Sequence, residues 1–163
     1  MAAGNTYTPI ATYTIPATAA STYTFSSISG SYTDLVLVFE GIESGNGDIR
    51  IQYNGDTATN YSDTVLKGNG TAASSTRSTS ATYCYLAYTD PSTRTAIIAN
   101  IQNYSNATTY KTLLSRFSTA GSTVGVIAGL WRSTAAITSI TISSSVYNFS
   151  TGSTFSLYGI LAA

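Results

Sequence analysis

The segment Asp48-Ile49-Arg50-Ile51-Gln52-Tyr53 alternates strictly between polar and apolar residues. A period of two places Ile49, Ile51 and Tyr53 on one face and Asp48, Arg50 and Gln52 on the other. A half-buried antiparallel strand needs that pattern, and a helix cannot use it. Asn54-Gly55-Asp56 follows as a turn signal. The same pattern recurs along the chain and predicts strands at residues 7–15, 22–25, 35–39, 64–67, 82–88, 93–101, 111–118, 124–132, 137–143 and 155–160. Gly, Ser, Asn and Asp clusters separate them, at intervals mostly near 8–12 residues, the spacing of a sandwich or barrel. Residues 35–39, Leu-Val-Leu-Val-Phe, are apolar at both parities, as in a strand covered on both sides by the sandwich or by a neighbouring subunit. No stretch sustains a helical period, so the expected class is all-β and antiparallel. Residues 68–80 and 103–110 read as loops.

Composition decides whether such a chain folds. About a third of it is Ser and Thr, far above ordinary usage, and only 9% is charged, with a net charge of zero. Hydroxyl-rich tracts are often disordered, but 43% hydrophobic content and thirteen Tyr favour strands with hydroxyls on their exposed faces. A length of 163 residues suits one domain. We expect a sandwich over 17–163 and an N-terminal arm or edge strand over 1–16. Seven basic residues against seven acidic ones make a poor footprint for nucleic acid. No stretch approaches the ~20 apolar residues of a membrane span, and the opening residues resemble no secretory signal. Residues 1–63 hold six carboxylates against Arg50, and residues 64–163 hold six cations against Asp90. Strands that mix distant segments would disperse that asymmetry.

The chain contains no His, the commonest general base. Cys84 therefore has no imidazole to activate it and reads as a small buried hydrophobe. No Gly-x-Ser-x-Gly elbow and no Walker-type phosphate loop occur. Glu40 and Glu43 could pair as glycosidase carboxylates, and the acidic segment 40–48 could offer oxygen ligands to Ca²⁺. Both lie in a Gly-rich turn where solvated acids are ordinary. The expectation is therefore no enzyme, no catalytic residue, no cofactor and no metal. Aromatic residues are the better binding candidates, because exposed Tyr and Trp anchor interfaces and stack on sugars. They are Tyr83, Tyr85 and Tyr88 near one strand, with Tyr83 and Tyr85 sharing a face, then Trp131, and Tyr7 and Tyr13 in the N-terminal segment. Core packing competes with a surface role for all of them.

Tyr7-Thr8-Pro9-Ile10-Ala11-Thr12, Thr24-Phe25-Ser26-Ser27-Ile28, Tyr32-Thr33-Asp34-Leu35-Val36-Leu37-Val38, Ile51-Gln52-Tyr53-Asn54-Gly55-Asp56 and Phe155-Ser156-Leu157-Tyr158-Gly159-Ile160 occur in that order. With them the chain resembles small virion proteins of tailed bacteriophages, especially those of aquatic bacteria and cyanobacteria. The likeness runs through nearly the whole chain and is poorest over 68–80. It implies a jelly-roll sandwich, often a homotrimer, that serves as a capsid decoration (cement) protein bound to the major capsid protein or other virion proteins. A tail-fibre module recognising host glycan is the alternative. It implies no catalytic residues, and a location in the virion after assembly in the host cytoplasm. Under this reading the segment 1–16 reaches a neighbouring subunit.

Overall fold

A computed structural model describes residues 6–91 and 93–161. They form twelve β-strands and no helix. In chain order the first six are β1 (Tyr7–Thr14), β2 (Thr22–Phe25), β3 (Asp34–Ile42), β4 (Gly47–Tyr53), β5 (Tyr61–Gly68) and β6 (Ala73–Ala81). Then come β7 (Cys84–Thr89), β8 (Arg94–Gln102), β9 (Lys111–Thr119), β10 (Thr123–Trp131), β11 (Ile140–Ser144) and β12 (Thr154–Ile160). Eight strands make one sheet in the order β1-β12-β3-β8-β9-β10-β5-β6, and four make a second in the order β2-β11-β4-β7. All pairings are antiparallel. The chain is thus an all-β sandwich, with one sheet twice the width of the other.

Alternation builds the interior. On β9, Lys111, Leu113, Ser115, Phe117 and Thr119 are buried while Thr112, Leu114, Arg116 and Ser118 are exposed. Register carries one inward row across the wide sheet, from Tyr13 through Phe155, Phe39, Ile97, Phe117 and Gly125 to Lys67. The narrow sheet answers with Phe25, Ile49, Ile51, Tyr53, Cys84, Leu86, Ile140 and Ile142, all buried. Burial of each large side chain stabilises by about 1.5–3 kcal/mol. Gly125 is required in its row, because a Cβ there would lie 2.5 Å from the Phe117 ring.

Cys84 is fully buried, and burial pushes its thiol up to about 12, so it stays a neutral core side chain. Lys111 is also fully buried. Its ammonium donates to the carbonyls of Thr109 (2.7 Å) and Thr134 (3.2 Å), and desolvation lowers its pKa. β3, which carries Glu40, lies beside β8, which carries Arg94, and the two side chains pair at 3.1 Å, so acidic and basic segments distant in sequence meet there.

One expectation needs correction. Residues 68–80 are not a loop, since most of them form β6 and its hairpin turn. β6 pairs only with β5, beyond the rim of the narrow sheet, and nearly every residue of it is exposed. A strand with nothing to bury on either face carries no period-two signal. The turn is closed by the Asn69 side chain, which accepts from the amides of Thr71 (3.0 Å) and Ala72 (2.8 Å) beside Gly70 at φ +83°. The segment 1–16 takes the edge-strand alternative. Its first five residues lie outside the described residues, but β1 is the edge strand of the wide sheet rather than a free arm. It is registered on β12 from Tyr7↔Ile160 to Thr14↔Thr154, and Ile15 just after it is buried in the core. Residues 103–110 do remain irregular. Tyr104 anchors them, buried, with its hydroxyl donating to the Ser29 carbonyl.

Candidate functional site

Tyr83, Tyr85 and Tyr88 gather at the β7 edge of the narrow sheet, where Tyr88 also packs against Phe117 of the wide sheet at 6.2 Å. Parity alone would separate Tyr88 from Tyr85. The register shift between Ile49 and Arg50 sets Tyr85 opposite Arg50 and Tyr88 opposite Asp48, so a bulge at Leu86 returns Tyr88 to the face of Tyr85. The Tyr83 and Tyr85 rings meet edge-on at 5.3 Å, and Tyr85 stacks on Tyr88 at 5.4 Å. Two cations cover ring faces. The Arg50 guanidinium lies 4.1 Å from the Tyr83 centroid and the Lys67 ammonium 3.8 Å from that of Tyr88. Arg50 also grips Asp48 through Nε at 2.5 Å. The hydrogen bond with Tyr83, with burial added, raises the Tyr85 phenol well above its usual range. Asp63, buried on β5, accepts from the Tyr85 amide at 3.1 Å, and burial raises its carboxyl. The hydroxyls of Tyr83 and Tyr85 bond to each other at 3.4 Å, and the three rings pack on one another and under Arg50 and Lys67. They make a closed lattice rather than an open stacking platform.

The remaining aromatic candidates lie elsewhere. Trp131 is 2% exposed, against Tyr53 (5.4 Å) and Tyr61 (6.3 Å), and its Nε1 donates to Asp56 Oδ2 at 2.7 Å. It is a core residue and is unavailable to a ligand. Tyr13 stacks flat on Tyr23 at 3.9 Å and ties β1 to β2 of the other sheet. Tyr7 is 56% exposed at the wide sheet's edge, edge-on to Tyr158.

The carboxylates of residues 40–48 each have a separate partner. Glu40 points outward to Arg94 at 3.1 Å. Glu43 is buried and accepts from the hydroxyls of Thr89 and Ser144. Burial raises its pKa, and those two hydrogen bonds temper the rise. Asp48 is held by Arg50. One glutamate is exposed and the other buried, so they do not flank a common bond. Among the described residues, no group of three His, Cys, Asp or Glu side chains comes together.

A further surface escaped the sequence reading. Among the described residues, no second sheet covers the outer side of the wide sheet. Its central row runs Ser156–Val38–Ile98–Arg116–Val126–Leu66–Ser75. On one flank lie Leu114 and Ala128, and on the other Ala96 and Val124. Leu66, Leu114 and Val124 are all more than half exposed, and Val126 is 41% exposed. Shallow cavities follow this surface, one of about 700 Å³ between Leu66, Ala73, Arg116, Val124 and Val126. The signal was present at the outward parity of several strands, in Val38, Ile98, Leu114, Val126 and Leu66, but only residues 35–39 were continuous enough to be noticed. No protein-family model matches this chain, and no curated protein sequence matches it.

Proposed function

We propose that this chain is a structural, non-catalytic component of a tailed-bacteriophage virion, a capsid decoration protein that seats on the outer shell and reinforces joints between capsomers. The observation that carries the reading is the open apolar face of the wide sheet. Soluble monomers rarely leave contiguous apolar patches larger than a few hundred Å² uncovered, and broad ones mark interaction surfaces. A broad face spread over five strands suits a large protein surface better than a sugar. The tyrosines needed for a glycan reading are already engaged by Arg50, Lys67 and one another. The sandwich agrees with the architecture that the resemblance implies. Trimers follow from the same resemblance. The wide sheet ends in two different edges, β1 and β6, and copies meeting through unlike edges would associate head-to-tail, as a ring where the rotation closes and as a filament where it does not.

The test is the copy number of the protein in purified virions, by quantitative mass spectrometry against the major capsid protein. Decoration predicts a ratio approaching that of the capsid protein. A few copies per particle would refute decoration, place the chain in the tail or a fibre, and return Tyr83, Tyr85 and Tyr88 to consideration as glycan contacts.

A further inference from the structure

We propose that the outer face of the wide sheet docks on a protein surface that presents a carboxylate within an apolar ring, and that Arg116 selects it. The inference rests on the virion reading and deepens it by giving the partner's chemistry. Arg116 stands mid-row between Ile98 and Val126, exposed. The chain's other cations each hold a carboxylate, a ring, a hydroxyl or a carbonyl. Arg116 has no such partner among the described residues. A purely apolar partner covering this face would strip the guanidinium of water and return nothing, a penalty that offsets the apolar gain around it. A carboxylate meets the planar fork with two parallel hydrogen bonds and removes that penalty.

A second copy is a poor occupant. Two-fold stacking through the patch centre sets Arg116 against Arg116. All seven Asp and Glu side chains already accept hydrogen bonds within the chain. Glu40, exposed on this same face, is held by Arg94.

The experiment mixes purified protein with particles of the parent phage grown without its gene and measures binding by cosedimentation. Wild type binds. Arg116→Glu and Arg116→Met each weaken binding about a hundredfold, within the range for removing one partner of a buried charge pair, and Arg116→Lys falls between. Unchanged thermal unfolding of each variant confirms that the fold is intact, as expected for an exposed side chain. Arg116→Met decides the partner's chemistry. It preserves apolar area, so equal or tighter binding means an apolar partner without a carboxylate and overturns the proposal. If Arg116→Glu instead lowers the oligomeric state of the free protein in sedimentation velocity, the face joins copies of this chain, and the proposal is again overturned. Wild-type binding that is indifferent to Arg116 leaves the virion reading standing and removes only this inference. Failure of wild type to bind removes both.

Discussion

Replacing Asp56 should loosen one end of the sandwich by a calculable amount. Asp56 lies in the connection between β4 and β5, where the chain passes from the narrow sheet to the wide one. Its Oδ2 accepts from Trp131 Nε1 (2.7 Å) and Asn60 Nδ2 (2.9 Å), and its Oδ1 from the Ala58 amide (2.9 Å). In Asp56→Ala the Ala58 and Asn60 donors lie near the surface and can turn to water. The indole N–H belongs to a side chain only 2% exposed and is left without an acceptor, at a cost of about 1–3 kcal/mol. With the lost charge-assisted bonds, a total near 2–3 kcal/mol is expected. At about 2–4 °C per kcal/mol for a chain of this size, Tm should fall by about 5–10 °C. Trp131→Phe removes the donor, so adding Asp56→Ala to it should cost at least about 1 kcal/mol less than in wild type. Burial alone would raise the Asp56 carboxyl, but the three donors outweigh it and hold the pKa below its ordinary 3.8. The stability this provides is present above 3.8 and is lost as pH falls through the lower folded value, so Asp56→Ala should flatten the acid limb of the profile. Equal Tm losses in the wild-type and Trp131→Phe backgrounds would refute the account.

Glu43 has the opposite sign. Its folded pKa is raised above 4.5, so its contribution is fully present below that value and is lost as pH rises through the folded pKa. Glu43→Gln should reduce the decline of urea midpoints over that window, with Asp63, raised in the same sense, accounting for what persists. Parallel profiles would contradict the assignment. Deleting residues 1–14 should destabilise the sandwich by at least about 2 kcal/mol, because it removes the Tyr13–Tyr23 stack and the pairing with β12. An arm without a structural role would leave thermal unfolding unchanged.

Strand positions were legible wherever one face is buried, since burial imposes a period on the sequence. Residues 22–25 and 48–53 emerged almost to their ends for that reason. β6 left no such imprint, because its hydroxyls meet solvent on both faces. The grouping of Tyr83 with Tyr85 followed from parity, but the arrival of Tyr88 depends on the bulge at Leu86, which depends on pairing with β4. Trp131 shares the buried parity of Ile127 and Gly129 on β10, while the acceptor of its indole N–H, Asp56, is distant in sequence. The outer apolar face required strand order. Ile98, Arg116, Val126 and Leu66 come from four strands, and no local window contains them together.

The β5–β6 hairpin has a consequence for how the molecule can change. β6 places almost nothing in the core, and its turn at Asn69–Thr71 stands clear of the narrow sheet. Substitution or insertion there meets little resistance from packing. Sequence can therefore drift at the tip of this hairpin while the rest of the molecule stays constrained, and a foreign peptide spliced there would be carried outward. If the apolar face is seated on a shell, that tip belongs to the margin of each docked copy, where such a peptide would be repeated across the particle.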